Sequence, residues 1–146
     1  MAHPSTDAGQ PTGHPAPARH EIGAPVLLFG LLAAPVVTAL ETLIGVGVVG
    51  RACFPAGQPL AEPLYSTQPP VWIVHVVALA VGAAAVVVSL HAWRRTRHEH
   101  EGGRAAMVEI GEGRTRFLAM VALMTSIGFF GVILFNTIGL ILLHPC

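Results

Sequence analysis

The sequence predicts an all-α integral membrane bundle of three transmembrane helices with a disordered N-terminal tail. Three observations carry that expectation. Apolar runs at residues 24–50, 71–93 and 117–143 each exceed the roughly 20 residues an α-helix needs to cross a hydrocarbon core about 30 Å thick. The composition is 53% hydrophobic and only 11% charged over 146 residues, so little chain remains outside three spans and two loops. All eight basic residues are arginine, and their placement is asymmetric. Arg94, Arg95, Arg97, Arg104, Arg114 and Arg116 fall between the second and third spans, Arg19 precedes the first, and Arg51 alone occupies the first loop. The positive-inside bias therefore predicts a cytoplasmic N-terminus, loop 50–70 outside, loop 91–116 inside and Cys146 outside.

Taken in order, residues 1–23 form a cytoplasmic tail and residues 24–146 the membrane domain. Pro4, Pro11, Pro15 and Pro17 stand among Gly, Ser, Thr and Ala in the tail, with scarcely an aliphatic side chain to bury, which predicts disorder. His3, His14 and His20 follow no ligand spacing there. The first span is too long for a signal-peptide core and is interrupted by Glu41, so it is expected to be retained. Gly50-Arg51-Ala52-Cys53 lacks the aliphatic residue of a lipoprotein processing site. Pro35 removes a backbone hydrogen bond to the carbonyl of Leu31 and predicts a kink, with Thr38 or water meeting the freed group.

The outer loop, 51–70, contains Pro55, Pro59, Pro63, Pro69 and Pro70. These deny backbone donors, so an irregular cap without helix is expected throughout. Trp72 and Trp93 bracket the second span at the two interfaces, where indole rings prefer to sit. The inner loop, with His98, Glu99, His100 and Glu101, reads as a solvated, membrane-proximal segment that prolongs one or both helices. Ala78 and Gly82 on the second span, and Thr125, Ser126, Gly128 and Gly131 on the third, are small residues that permit close helix approach.

Cys53 and Cys146 fall just past the outer ends of the first and third spans, on the oxidising face. A structural disulfide is the expected pairing, worth about 4 kcal/mol by loop-closure entropy. Two free thiols, or a soft-metal site that adds His75 or His144, are the competing arrangements.

Glu41 is the most expensive residue in the sequence, because it lies only about 6 Å of rise from the middle of the first span. Acids at that depth face protein rather than lipid. Ala34, Thr38, Glu41, Thr42 and Gly45 make one small, polar stripe at helical spacing. Counted inward from the outer ends, His75 and Asn136 with Thr137 reach nearly the depth of Glu41, so the three helices can share one polar cluster. A carboxyl group in low dielectric takes up a proton or finds a partner such as His75. Interhelical glue, partner contact and proton relay are all open to it.

No phosphate-cradling glycine loop, Ser/His/Asp arrangement or zinc spacing is present. His75 and His91 lie about 24 Å apart on one helix, too far to ligate one haem. No enzyme, cofactor, bound metal or nucleic-acid partner is therefore expected.

The run Arg116-Phe-Leu-Ala-Met-Val-Ala-Leu-Met-Thr-Ser, with the closing His144-Pro145-Cys146, and Leu31-Leu-Ala-Ala-Pro35 leading to Cys53, resemble a known group. These are small bacterial three-helix membrane proteins encoded beside haem-copper cytochrome c oxidase subunits and their copper-delivery assembly factor. Relatives commonly carry an aromatic residue and a histidine after that proline, where this chain has Thr38 and Glu41, so no ligand role transfers to that face. The resemblance implies a non-catalytic accessory or assembly-associated subunit of a respiratory oxidase, whose partners are the lipid bilayer and a larger membrane complex. The alternatives are a homo-oligomeric channel or small transporter using Glu41, and an outer-face copper or redox protein using the two cysteines.

Overall fold

A computed structural model describes residues 22–97, 114–143 and 146. Residues 1–21 of the tail expected over 1–23, the His98 to Glu101 segment and His144 lie outside the described residues. The protein is all-α. Three helices, α1 (Ala24–Cys53), α2 (Gln68–Thr96) and α3 (Arg114–Leu142), are each long and apolar enough to cross a membrane. This is a multi-pass membrane protein. Helices of 29 or 30 residues rise about 45 Å, more than a bilayer's hydrocarbon core, so their ends reach the headgroups or the helices tilt.

Each helix outruns its apolar core by about one turn at the loops, and the local chemistry explains why. α2 starts at Gln68 with Pro69 and Pro70 in its first turn, where the missing N–H groups would have had no intrahelical acceptor anyway. α1 continues through Arg51 to Cys53. The expectation that residues 51–70 exclude helix throughout therefore fails at both ends of that loop. Between them the chain folds back over the end of α1. A tight turn at Pro55–Gly57 places Ala56 and Gly57 at φ 53° and 78°. Phe54 N donates to Gly50 O, Leu60 N to Cys53 O and Leu64 N to Ala52 O. Tyr65 Oη donates to Val48 O at 3.2 Å. The last carbonyls of α1 are thus met by loop donors, which a helix end requires.

The core is a ladder of small side chains. On α2 the buried residues are Val71, His75, Ala78, Gly82, Ala85, Ser89, Ala92 and Thr96. The steps alternate four and three, a seven-residue repeat that keeps one seam facing its neighbours and favours left-handed supercoiling. Gly30, Ala34, Thr38 and Glu41 on α1, and Thr115, Ala119, Ala122, Ser126 and Ile133 on α3, answer it. Each helix packs on both of the others. At one end Ile22 folds under the bundle against Ala92 and Ala119, with Leu27 and Trp93 beside them.

Two glycines set how closely the helices approach. A Cβ at Gly30 would run into Ser89 Oγ and sit 3.4 Å from Ala122 Cβ, and one at Gly82 would lie 2.9 Å from Phe130 and 3.0 Å from Ile133. Gly128 and Gly131, expected at a packing surface, are instead exposed, and a Cβ there meets nothing within 4 Å. Thr42 is likewise exposed. It falls eight residues after Ala34 and drifts off a seam that repeats every seven. The Thr38 hydroxyl donates to Ala34 O at 2.8 Å, so it is not the group that serves the Leu31 carbonyl freed by Pro35.

Gly30→Ala should cost about 1–3 kcal/mol through overpacking, whereas Gly128→Ala should be neutral or stabilise by up to about 1 kcal/mol through helix propensity. Reversible unfolding in mixed micelles reads both. Equal effects at the two positions would contradict the assigned seam.

Candidate functional site: an intramembrane polar cluster

The structure brings Glu41, His75 and Asn136 together from three different helices. Glu41 is 2% exposed and His75 7%. His75 Nε2 lies 3.0 Å from Glu41 Oε1, and Asn136 Nδ2 donates more weakly to the same oxygen at 3.4 Å. Their meeting follows from the seam. Glu41 and His75 are both seam positions on their helices, at matched depth, and Asn136 stands three residues beyond the buried Ile133. Thr137, equal in depth, turns away and donates to Ile133 O at 2.8 Å.

The hydrogen-bond partners fix where protons must be. His75 Nδ1 lies 3.0 Å from Val71 O; a carbonyl only accepts, so Nδ1 carries a hydrogen. Nε2 and Oε1 at 3.0 Å then need a proton between them, since two bare acceptors would repel. Imidazolium facing carboxylate, or neutral imidazole facing carboxylic acid, both satisfy this geometry. In either form the pair carries no net charge. Glu41 Oε2 is buried without a hydrogen-bond partner, and Asn136 Oδ1 takes none among the described residues. The cluster therefore ends in acceptors that lack donors.

These groups stand at the inner end of a cavity of about 770 Å³. Its walls run along α1 from Glu41 to Gly50, along α2 from His75 to Gln68 and along α3 from Phe135 to Leu143, with Phe54 and Trp72 toward the loop. Most of the lining surface is apolar. Inward of Glu41 the bundle is closed. Ser126 Oγ donates to Gly30 O at 2.5 Å and lies 3.2 Å from Ser89 Oγ. The single hydroxyl hydrogen of Ser126 is committed to Gly30, so Ser89 is the donor to Ser126. This three-helix knot escapes a reading of the sequence that weighs Ser126 only as a small residue. Seven-residue periodicity through Gly82 and Ser89 is the signal that finds it.

At the loop end, Cys53 and Cys146 are joined in a disulfide with Cα atoms 5.7 Å apart, tying α1 to the chain that follows α3. Among the described residues no three of His, Cys, Asp and Glu gather as metal ligands. Compared with known protein families, curated proteins and solved structures, the chain matches none.

Removing one partner of the buried pair leaves the other uncompensated, so His75→Leu should cost about 3 kcal/mol. The double variant Glu41→Leu, His75→Leu should recover most of that loss. Equilibrium unfolding of Glu41→Leu, His75→Leu and the double variant checks the coupling, and additive costs would contradict it. Cys53→Ala should lower stability by up to about 4 kcal/mol, and thiol labelling of the unreduced wild-type protein should find no reactive sulfur.

Proposed function

We propose that this chain is a non-catalytic accessory subunit that docks in the membrane on a larger complex. The class of partner is a haem-copper cytochrome c oxidase or its assembly machinery, as the sequence resemblance implies. The observation that carries the non-catalytic reading is the closed interior. Glu41 stands at the blind end of a cavity, and eleven residues further inward Gly30, Ser89 and Ser126 are bonded across all three helices. Polar groups here join helix to helix, which suits contact rather than turnover. In this reading the protein lies in a bacterial inner membrane with the arginine-flanked ends of α2 and α3 in the cytoplasm and the disulfide outside. Arg94 and Arg95 in the last turn of α2, with Arg114 and Arg116 in the first turn of α3, support that orientation.

The rival is conduction through a ring of Glu41 residues in an oligomer. One bundle packed on alanine, glycine and serine offers no continuous aqueous path, so a pore would have to form between copies. A copper-handling role needs two thiolates, which in the structure are bonded to each other.

Affinity capture of the tagged full chain in mild detergent should recover an oxidase subunit or assembly factor in stoichiometric amount. Repeated capture without either contradicts the proposed partner. Reconstituted Glu41→Gln that abolishes a measured ion flux while keeping its fold would establish the channel instead. A phosphatase fused after Cys146 should be active and a fluorescent protein fused there dark; the opposite pattern reverses the orientation.

A further inference from the structure

We propose that the cavity above Glu41 is a binding site for a neutral, lipid-soluble molecule that presents a hydroxyl group on an apolar body. The inference is independent of which complex the chain joins. It rests on the match between what the cavity lacks and what such a molecule supplies.

The walls are mainly apolar, with side chains such as Val46, Val49, Val71, Phe135, Leu140 and Leu143, and carry Thr42, Thr67 and Gln68 as well. A volume of about 770 Å³ falls within the range that holds drug-sized ligands. The polar floor is short of donors rather than acceptors. His75 uses Nδ1 on Val71 O and shares the proton at Nε2 with Glu41 Oε1. Asn136 directs its amide nitrogen at the same oxygen. Glu41 Oε2 is left buried and unpartnered. A buried acceptor without a donor is costly; the carboxyl group reaches a ligand by turning about its soft terminal torsion, a turn that also shifts Oε1 against His75 Nε2 and Asn136 Nδ2.

Charge decides between a neutral and a cationic head. Both proton arrangements of the Glu41–His75 pair are net neutral, so the floor offers no surplus negative charge to offset the burial of an ammonium group. A hydroxyl donates the missing hydrogen bond at no such cost. The route of entry is the loop end of the bundle, where α1 between Glu41 and Ala52, and α3 beyond Ile133, have no fully buried residue.

The test uses the full chain in lipid nanodiscs with Trp93→Phe, so that Trp72 on the cavity wall is the one indole. The probes are ω-bromododecanol, its methyl ether and ω-bromododecylamine, whose bromine quenches indole emission on contact. The alcohol should quench saturably and bind about tenfold more tightly than the ether, the scale of one hydrogen bond. Glu41→Met should erase that difference. Glu41→Gln should preserve it, because its amide N–H can serve His75 Nε2 and leave a carbonyl for the ligand. Gly139→Leu provides a variant that does not touch the cluster. Gly139 lines the cavity, a Cβ there meets nothing within 4 Å, and leucine is the better helix former, so the fold should hold while saturable quenching is lost. Equal affinity for alcohol and ether would overturn the proposal in favour of a cavity that takes plain acyl chains. Preference for the amine, lost in Glu41→Gln, would overturn it in favour of a cation site.

Discussion

Close approach of three backbones is the constraint on which this structure depends. In hydrocarbon, burying one aliphatic side chain against another gains little over burying it in lipid, so helices associate through packing of small residues and interhelical hydrogen bonds. The buried seam of α2 is accordingly built mostly from the small residues Ala78, Gly82, Ala85, Ser89 and Ala92 and contains no leucine. Large apolar residues such as Leu28, Leu43, Ile73 and Ile127 are turned outward. Gly30 is where the approach is tightest, since Ser89 occupies the space a Cβ would need. That closeness lets the Ser126 hydroxyl reach a backbone carbonyl on another helix.

The same seam places the ionisable groups. Glu41 is tolerable inside a membrane because the repeat that buries Ala34 and Thr38 also aims it at the bundle, and the repeat on α2 aims His75 back. Outward of the pair the small-residue packing ends, a cavity replaces it, and the disulfide from Cys53 to Cys146 takes over the task of holding α1 near the end of α3. Tight packing, polar pair, cavity and covalent tie thus succeed one another along the bundle axis.

Much of this was legible in the residues. Three long apolar runs announce three helices, and counting inward from their ends brings Glu41, His75 and Asn136 to one depth without a structure. The helix ends were harder, because Pro69 and Pro70 argue against helix everywhere except the first turn, where they sit. Packing faces were harder still. An aliphatic helix shows little contrast between its faces, so Gly128 and Gly131 looked as suitable for contact as Gly82. Only the register of the partner helices separates them. The unpaired Oε2 of Glu41 and the cavity beside it arise from where packing stops, which no single helix encodes.

Cysteine cross-linking across the seam tests the central claim most directly. With Cys53 and Cys146 replaced by serine, the pair Ser89→Cys and Ser126→Cys occupies positions whose hydroxyl oxygens lie 3.2 Å apart, within reach of a disulfide. Mild oxidation in the membrane should join that pair rapidly and leave Ser89→Cys with Gly128→Cys unlinked. Fast cross-linking of the second pair, with none in the first, would contradict the register on which the bundle, the cluster and the cavity rest.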